Sequence, residues 1–179
     1  KIAAVRDAEF LDWLEKNAPA IMSRKKEAVI SMIRRSVENK ARVVIEDERE
    51  SGVRALLNFG HTFAHAFETL TSYERYLHGE AVGIGMMTAS RLSELRGLCP
   101  AGLTARLGKL LRRFELPLEL PADISTEQVL DTMRLDKKVM AGSLRLILVK
   151  AAGWGFIDSS SDKIQIAAAR SEEHTSELQ

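Results

Sequence analysis

EAVGIGMMTASRLSE, the run from Glu80 to Glu94, is apolar almost all the way round when wound at the helical period. A helix with no polar face belongs inside a protein. The small residues Ala81, Gly83 and Gly85 along it would let neighbouring elements approach closely. The fold therefore needs other helices to surround this one.

The rest of the chain supplies them. Ala4, Phe10, Leu11 and Leu14 recur at three-to-four-residue spacing, predicting a first helix with Pro19 near its end. From Arg24 to about Asp47 the series Val29, Ile30, Ile33, Val37, Ala41, Val44 and Ile45 keeps the period without Gly or Pro, predicting a long amphipathic helix with a basic face. Gly52 interrupts after EDERES, and Arg54 to Leu70 resumes as a helix that contains Gly60, at about 1 kcal/mol against Ala. Leu103 to Phe114 predicts another helix, closed by LPLELP. Ser125 with Gln128 forms a capping-box pattern that starts a further one. Asp136, Lys137 and Lys138 follow, and only then comes a β-like run, Ser143 to Val149, with AAGWGFI as its partner across a turn. The expected fold class is mainly α with one small β-hairpin, without internal repeats or a low-complexity linker.

Bulk properties narrow the function. At 179 residues and 45% hydrophobic the chain suits one domain, and 28% charged residues with net charge +1 argue against wrapping nucleic acid. Cys99 is the lone cysteine, which excludes an internal disulfide and a Cys-rich zinc module. No apolar run approaches the roughly 20 residues of a membrane span, so the expectation is a soluble cytoplasmic protein with no membrane or nucleic-acid partner. KIAAVRDAEFLDWLE lacks an initiator Met and a signal-peptide layout, and reads as a cut end. At the other terminus RSEEHTSELQ, Arg170 to Gln179, matches the translation of a widely used sequencing-adapter oligonucleotide. It is taken as non-native, leaving residues 1–169 as the domain.

Three of the four histidines fall between His61 and His78. In LLNFGHTFAHAFE, Leu56 to Glu68, His61 and His65 are four apart and share a helix face. Two imidazoles so placed can share a metal, yet Glu does not follow the first, so the metalloprotease pattern is absent. His78 lies beyond a loop and could fold back on the pair. Glu68 or Glu80 could add an oxygen ligand, although Glu80 is read first as a helix cap. Spacing alone leaves open whether these are ligands or ordinary polar residues. Arg54, Asn58, His61 and His65 form one stripe that is poor core material and suits an anionic, hydroxylated ligand. Taken singly, Lys40 or Lys137 and Lys138 would read as solvated surface.

Lys40, VVIEDERESGVRALLNFGHTFAHAFE (Val43 to Glu68), LHGEAVGIGM (Leu77 to Met86) and LDKKVMAGSLRLIL (Leu135 to Leu148), in that order, resemble the C-terminal half of the 3-dehydroquinate synthase family. The resemblance runs from Lys1 to about Ile157, with Ala64 where many members have Gly. It implies an N-terminal domain, absent here, that binds NAD, and a mainly helical C-terminal domain that carries metal and substrate groups. The absence of a Gly-rich dinucleotide fingerprint agrees, so no cofactor-binding residue is expected in this chain. The family's zinc or cobalt is held by one Glu and two His. His61 and His78 match the histidines, and the Glu would lie three residues before Lys1. His65 and Glu50 match proton-accepting positions. Lys1, Lys40, Arg54, Leu57 and Asn58 match substrate contacts, as does one of Lys137 and Lys138.

The implied activity is a phosphorus-oxygen lyase of the shikimate pathway, on the route to chorismate and the aromatic amino acids. It turns 3-deoxy-D-arabino-heptulosonate 7-phosphate into 3-dehydroquinate and phosphate, with a homodimer as the assembly and the isolated fragment inactive. The alternatives are a related sugar-phosphate cyclase of the 2-deoxy-scyllo-inosose synthase type, a metal-dependent polyol dehydrogenase, against which the DKK segment argues, and a non-enzymatic helical interaction module. Arg54 favours a carboxylate-bearing substrate.

Overall fold

In the computed structural model, which describes residues 1–49, 52–120, 122–135 and 145–159, the apolar run becomes the central helix of a mainly helical fold. This helix, His78–Leu95, is α5; Ala81, Ile84 and Leu92 are wholly enclosed. Its buried hydroxyls are satisfied from within. Thr88, Ser90 and Ser93 donate their hydroxyls to the carbonyls of Ile84, Met86 and Ala89 at 3.1, 2.8 and 2.9 Å. A helix can thus carry hydroxyls and still be buried on every side.

Around it stand α1 (Ile2–Arg6), α2 (Ala8–Met22), α3 (Lys26–Glu46), a 3-10 helix (Val53–Asn58), α4 (His61–Leu70), α6 (Leu103–Arg113) and α7 (Thr126–Leu135). β1 (Leu146–Ala151) and β2 (Trp154–Asp158) form one antiparallel hairpin, with Leu148 opposite Phe156. The hairpin lies on α1 and α5: Gly153 N–H donates to the Ala4 carbonyl at 2.9 Å and Val149 N–H to Ser93 Oγ at 3.1 Å. Arg96 pairs with the buried Asp158 at 2.8 Å, tying the end of α5 to β2. The Ser125–Gln128 capping box forms as expected, at 2.7 and 3.1 Å.

Three local readings are corrected, while Pro19 does fall near a helix end. The first helix is two, because the Asp7 carboxylate accepts from Phe10 N–H at 2.8 Å and restarts the chain as α2. Pro19 lies inside α2, where its missing N–H leaves the Glu15 carbonyl without the usual helical donor; Arg113 Nη1 donates to that carbonyl at 2.8 Å instead. The segment from Arg54 to Leu70 is a 3-10 helix and then α4, separated at Gly60, which takes φ +81. Finally, α3 buries Ala28, Asn39 and Val43, and leaves much of its apolar stripe outside: Ile33 is 53% and Val37 61% exposed. The buried Asn39 is satisfied by the Asp7 carboxylate, to which it donates at 2.9 Å, a tie between α3 and the start of α2. The expectations for residues 170–179 fall outside the described residues.

Gly60 and Gly85 set how closely α4 and α5 pack. A Cβ on Gly85 would stand 2.1 Å from the Gly60 carbonyl oxygen, a backbone atom that cannot swing aside. A Cβ on Gly83 would meet only ordinary contacts, the nearest at 3.6 Å. Gly85→Ala is therefore expected to destabilise by roughly 1–3 kcal/mol or more through overpacking. Gly83→Ala should be neutral or stabilising by up to about 1 kcal/mol through helix propensity. Urea unfolding midpoints of the two variants check the contrast.

Candidate functional site

The site begins where α3 ends. Asp47, buried at the helix terminus, turns its Oδ2 toward the backbone and accepts from Gly52 N–H at 2.8 Å and Arg54 N–H at 2.9 Å. One carboxylate oxygen thereby holds the start of the 3-10 helix that carries Arg54, Leu57 and Asn58. Arg54 Nη1 also donates to the Glu48 carbonyl at 2.8 Å.

Arg54, Leu57 and Asn58 face Lys1, Ile2, Ser36 and Lys40 across a cavity of ≈ 460 Å³. All five described substrate-contact positions implied by the family resemblance therefore line one pocket. Ser36 and Ile2 were not anticipated. Ser36 precedes Lys40 by one helical turn of α3, a spacing that could have pointed to it. With three basic side chains and an amide on its walls, the pocket suits an anion bearing hydroxyls. Lys1 shows the effect of this crowding: its ammonium is held below the usual lysine range, first by burial and then by Lys40.

Beside the pocket the three histidines converge. The ring centres of His61 and His78 are 5.2 Å apart at 78°, those of His61 and His65 6.0 Å, and those of His65 and His78 6.4 Å. His61 and His65 come from successive turns of α4. His78 is the first residue of α5, where the preceding connector returns it to the pair. Lys1 joins cluster and pocket, with Nζ 3.1 Å from His61 Nε2. The other ring nitrogen, His61 Nδ1, lies 3.3 Å from the Phe59 carbonyl. A carbonyl only accepts, so the proton sits on Nδ1 and the Nε2 lone pair faces the site. The imidazole is pushed down to about 4, first by burial and then by Lys1, although the Phe59 carbonyl acts in the opposite sense. Near neutral pH it is an uncharged donor.

The donor set fits a divalent ion in part. Two imidazoles that share a tetrahedral ion at about 2.1 Å from each nitrogen hold their ring centres roughly 5 Å apart, close to the 5.2 Å between His61 and His78. Among the described residues, however, no group of three or more His, Cys, Asp or Glu side chains could hold a metal. Glu80 is engaged as a cap, accepting from Leu77 N–H at 2.8 Å. Glu68 accepts from His78 Nδ1 at 2.8 Å. His61 and His78 thus offer two nitrogens, and any oxygen ligand would have to come from outside the described residues. Glu50, Lys137 and Lys138 lie outside the described residues.

The family model for the C-terminal part of 3-dehydroquinate synthase matches residues 1–139. The 3-dehydroquinate synthase of Dichelobacter nodosus is 44% identical over 176 residues, 96% of this chain and 48% of that protein. That of Citrifermentans bemidjiense is 49% identical, covering 86% of this chain and 42% of the relative. The chain thus spans about half the length of the curated relatives it matches. Among solved structures, a 2-epi-5-epi-valiolone synthase from Streptomyces hygroscopicus subsp. jinggangensis, with NAD+ and Zn2+ bound, superposes with a TM-score of 0.85 at 26% identity, over 98% of this chain and 49% of the other. A 2-deoxy-scyllo-inosose synthase superposes with a TM-score of 0.70 at 22% identity, over 81% and 42%, and shares the fold.

Because Asp47 satisfies two backbone donors, Asp47→Ala is expected to destabilise by about 1–3 kcal/mol. Asp47→Asn keeps one acceptor oxygen and should lose less. Chemical denaturation of both variants checks the order.

Proposed function

Since the chain belongs to the 3-dehydroquinate synthase family, matching its C-terminal part, we propose that it forms the metal- and substrate-binding side of an enzyme converting 3-deoxy-D-arabino-heptulosonate 7-phosphate to 3-dehydroquinate and phosphate. The observation that carries this reading is the pocket of Lys1, Lys40, Arg54, Leu57 and Asn58, joined through Lys1 to the histidine pair. The names of the relatives at 44% and 49% identity favour this product over those of the cyclases at 26% and 22%. Residues 1–169 are assigned to the helical domain and 170–179 to a non-native tail. The reaction is that of a phosphorus-oxygen lyase in a cytoplasmic homodimer.

In this reading Arg54 grips the substrate carboxylate or phosphate through two parallel N–H bonds, and Lys1 and Lys40 add point charge. Asn58 bonds a hydroxyl, and Leu57 gives the pocket an apolar wall. Holding the substrate in this pocket favours elimination and ring closure by fixing the reacting groups near one another. His61 and His78 would hold a zinc or cobalt ion, whose charge makes a neighbouring substrate hydroxyl more acidic. NAD, bound by the remainder of the protein, would take up a hydride and return it. His65, one turn beyond His61, and Glu50 accept protons. One of Lys137 and Lys138 adds a further substrate contact.

Phosphate release from the heptulosonate phosphate, followed in the full-length protein with NAD and zinc, tests the reading. His61→Ala is expected to lower kcat/KM by about 100-fold or more, near 3 kcal/mol; unchanged turnover would contradict the assignment. Arg54→Lys preserves charge but loses the fork, so KM should rise by about tenfold, 1.4 kcal/mol, with a smaller change in kcat. Steady-state kinetics separates the two constants.

A further inference from the structure

The geometry points to Glu68 as a positioning residue for His78, one that fixes the imidazole tautomer and its aim toward a bound divalent ion. This rests on the proposed reading that His61 and His78 share a metal.

Glu68 occupies an unusual place for a carboxylate. Its side chain is 7% exposed, while the His78 side chain it meets is 59% exposed. The neighbouring residues on α4, Ala64 and Phe67, are completely buried. Placing a carboxylate in such surroundings costs several kcal/mol unless it is well paired. A single contact with a half-open imidazole is a weak return in stability alone. The contact does something more specific for His78. A carboxylate oxygen 2.8 Å from Nδ1 accepts a proton held there, leaving the Nε2 lone pair on the other side of the ring. His61 has the same arrangement, with the Phe59 carbonyl in place of the carboxylate.

Glu68 also anchors the approach to His78 through its backbone. Its carbonyl accepts from Tyr73 N–H at 2.8 Å, within the connector between α4 and α5. One residue therefore controls the course of the connector with its main chain and the rotation of the imidazole with its side chain. Carboxylate partners of this kind orient metal-binding histidines and raise their basicity, and their loss typically lowers metal affinity about 10–100-fold.

The test uses Co2+ alone as the probe, in the full-length protein freed of metal. Affinity is measured by chelator competition, coordination by the visible absorption band, and the His78 tautomer by 15N NMR without metal. The wild type should carry the proton on Nδ1. Glu68→Ala should shift it toward Nε2, weaken Co2+ binding about 10–100-fold and alter the band. Glu68→Gln retains a neutral acceptor, so the tautomer should persist while affinity falls less, by about three- to tenfold; this variant decides the matter if Glu68→Ala does not fold. Unchanged affinity and spectrum in the variant that folds, with binding lost in His78→Ala, would overturn the role of Glu68 and leave the metal reading standing. Unchanged binding in both His61→Ala and His78→Ala would defeat that reading itself, and with it this inference.

Discussion

The backbone contact between Gly60 and Gly85 is the constraint on which the site depends. It brings the entry to α4 against the middle of α5 at a distance no side chain could share. His61 immediately follows one glycine, and His78 lies two turns before the other. Closing that contact therefore sets the separation of the two imidazoles. The left-handed turn at Gly60 completes the arrangement, because it ends the 3-10 helix carrying Arg54 and Asn58 just before the histidines begin. Pocket and cluster are consecutive parts of one rigid path.

Charge divides these parts into two kinds of surface. Lys1, Lys40 and Arg54 make the pocket attractive to an anion, whereas burial and the nearby Lys1 keep His61 an uncharged nitrogen donor. The same lysine thus works on both sides: it lines the anion pocket and disfavours a second cationic charge on the neighbouring ring. A substrate carrying carboxylate, phosphate and hydroxyl groups would find positive charge and neutral donors side by side, as the proposed reaction needs.

Much of the frame was legible because it follows from local rules. Glu80 to Glu94 had no polar face and became the central helix; Ser125 and Gln128 formed their capping box; the β-like run found its partner in a hairpin. The breaks were harder to see. A glycine within a helical period looks alike whether it sits in the helix or caps it, so Gly60 was placed inside. Asp7 started a second helix through its side-chain carboxylate, which caps Phe10 N–H, a break that hydrophobic periodicity does not encode. On α3, the apolar series is largely exposed, and the face turned inward carries Asn39, paired with Asp7 far away in the sequence. The site residues came from the ordered motifs and the family resemblance, since His-x-x-x-His alone left open whether these are ligands or ordinary polar residues. The Glu68–His78 bond needed three dimensions.

The proposed metal centre requires the glycine contact to place His61 and His78 so that they share one ion. Anomalous X-ray diffraction from zinc-loaded full-length protein tests it directly. One zinc peak is expected about 2.0–2.1 Å from Nε2 of both histidines. A zinc ion bound by only one of them, or by neither, would contradict it.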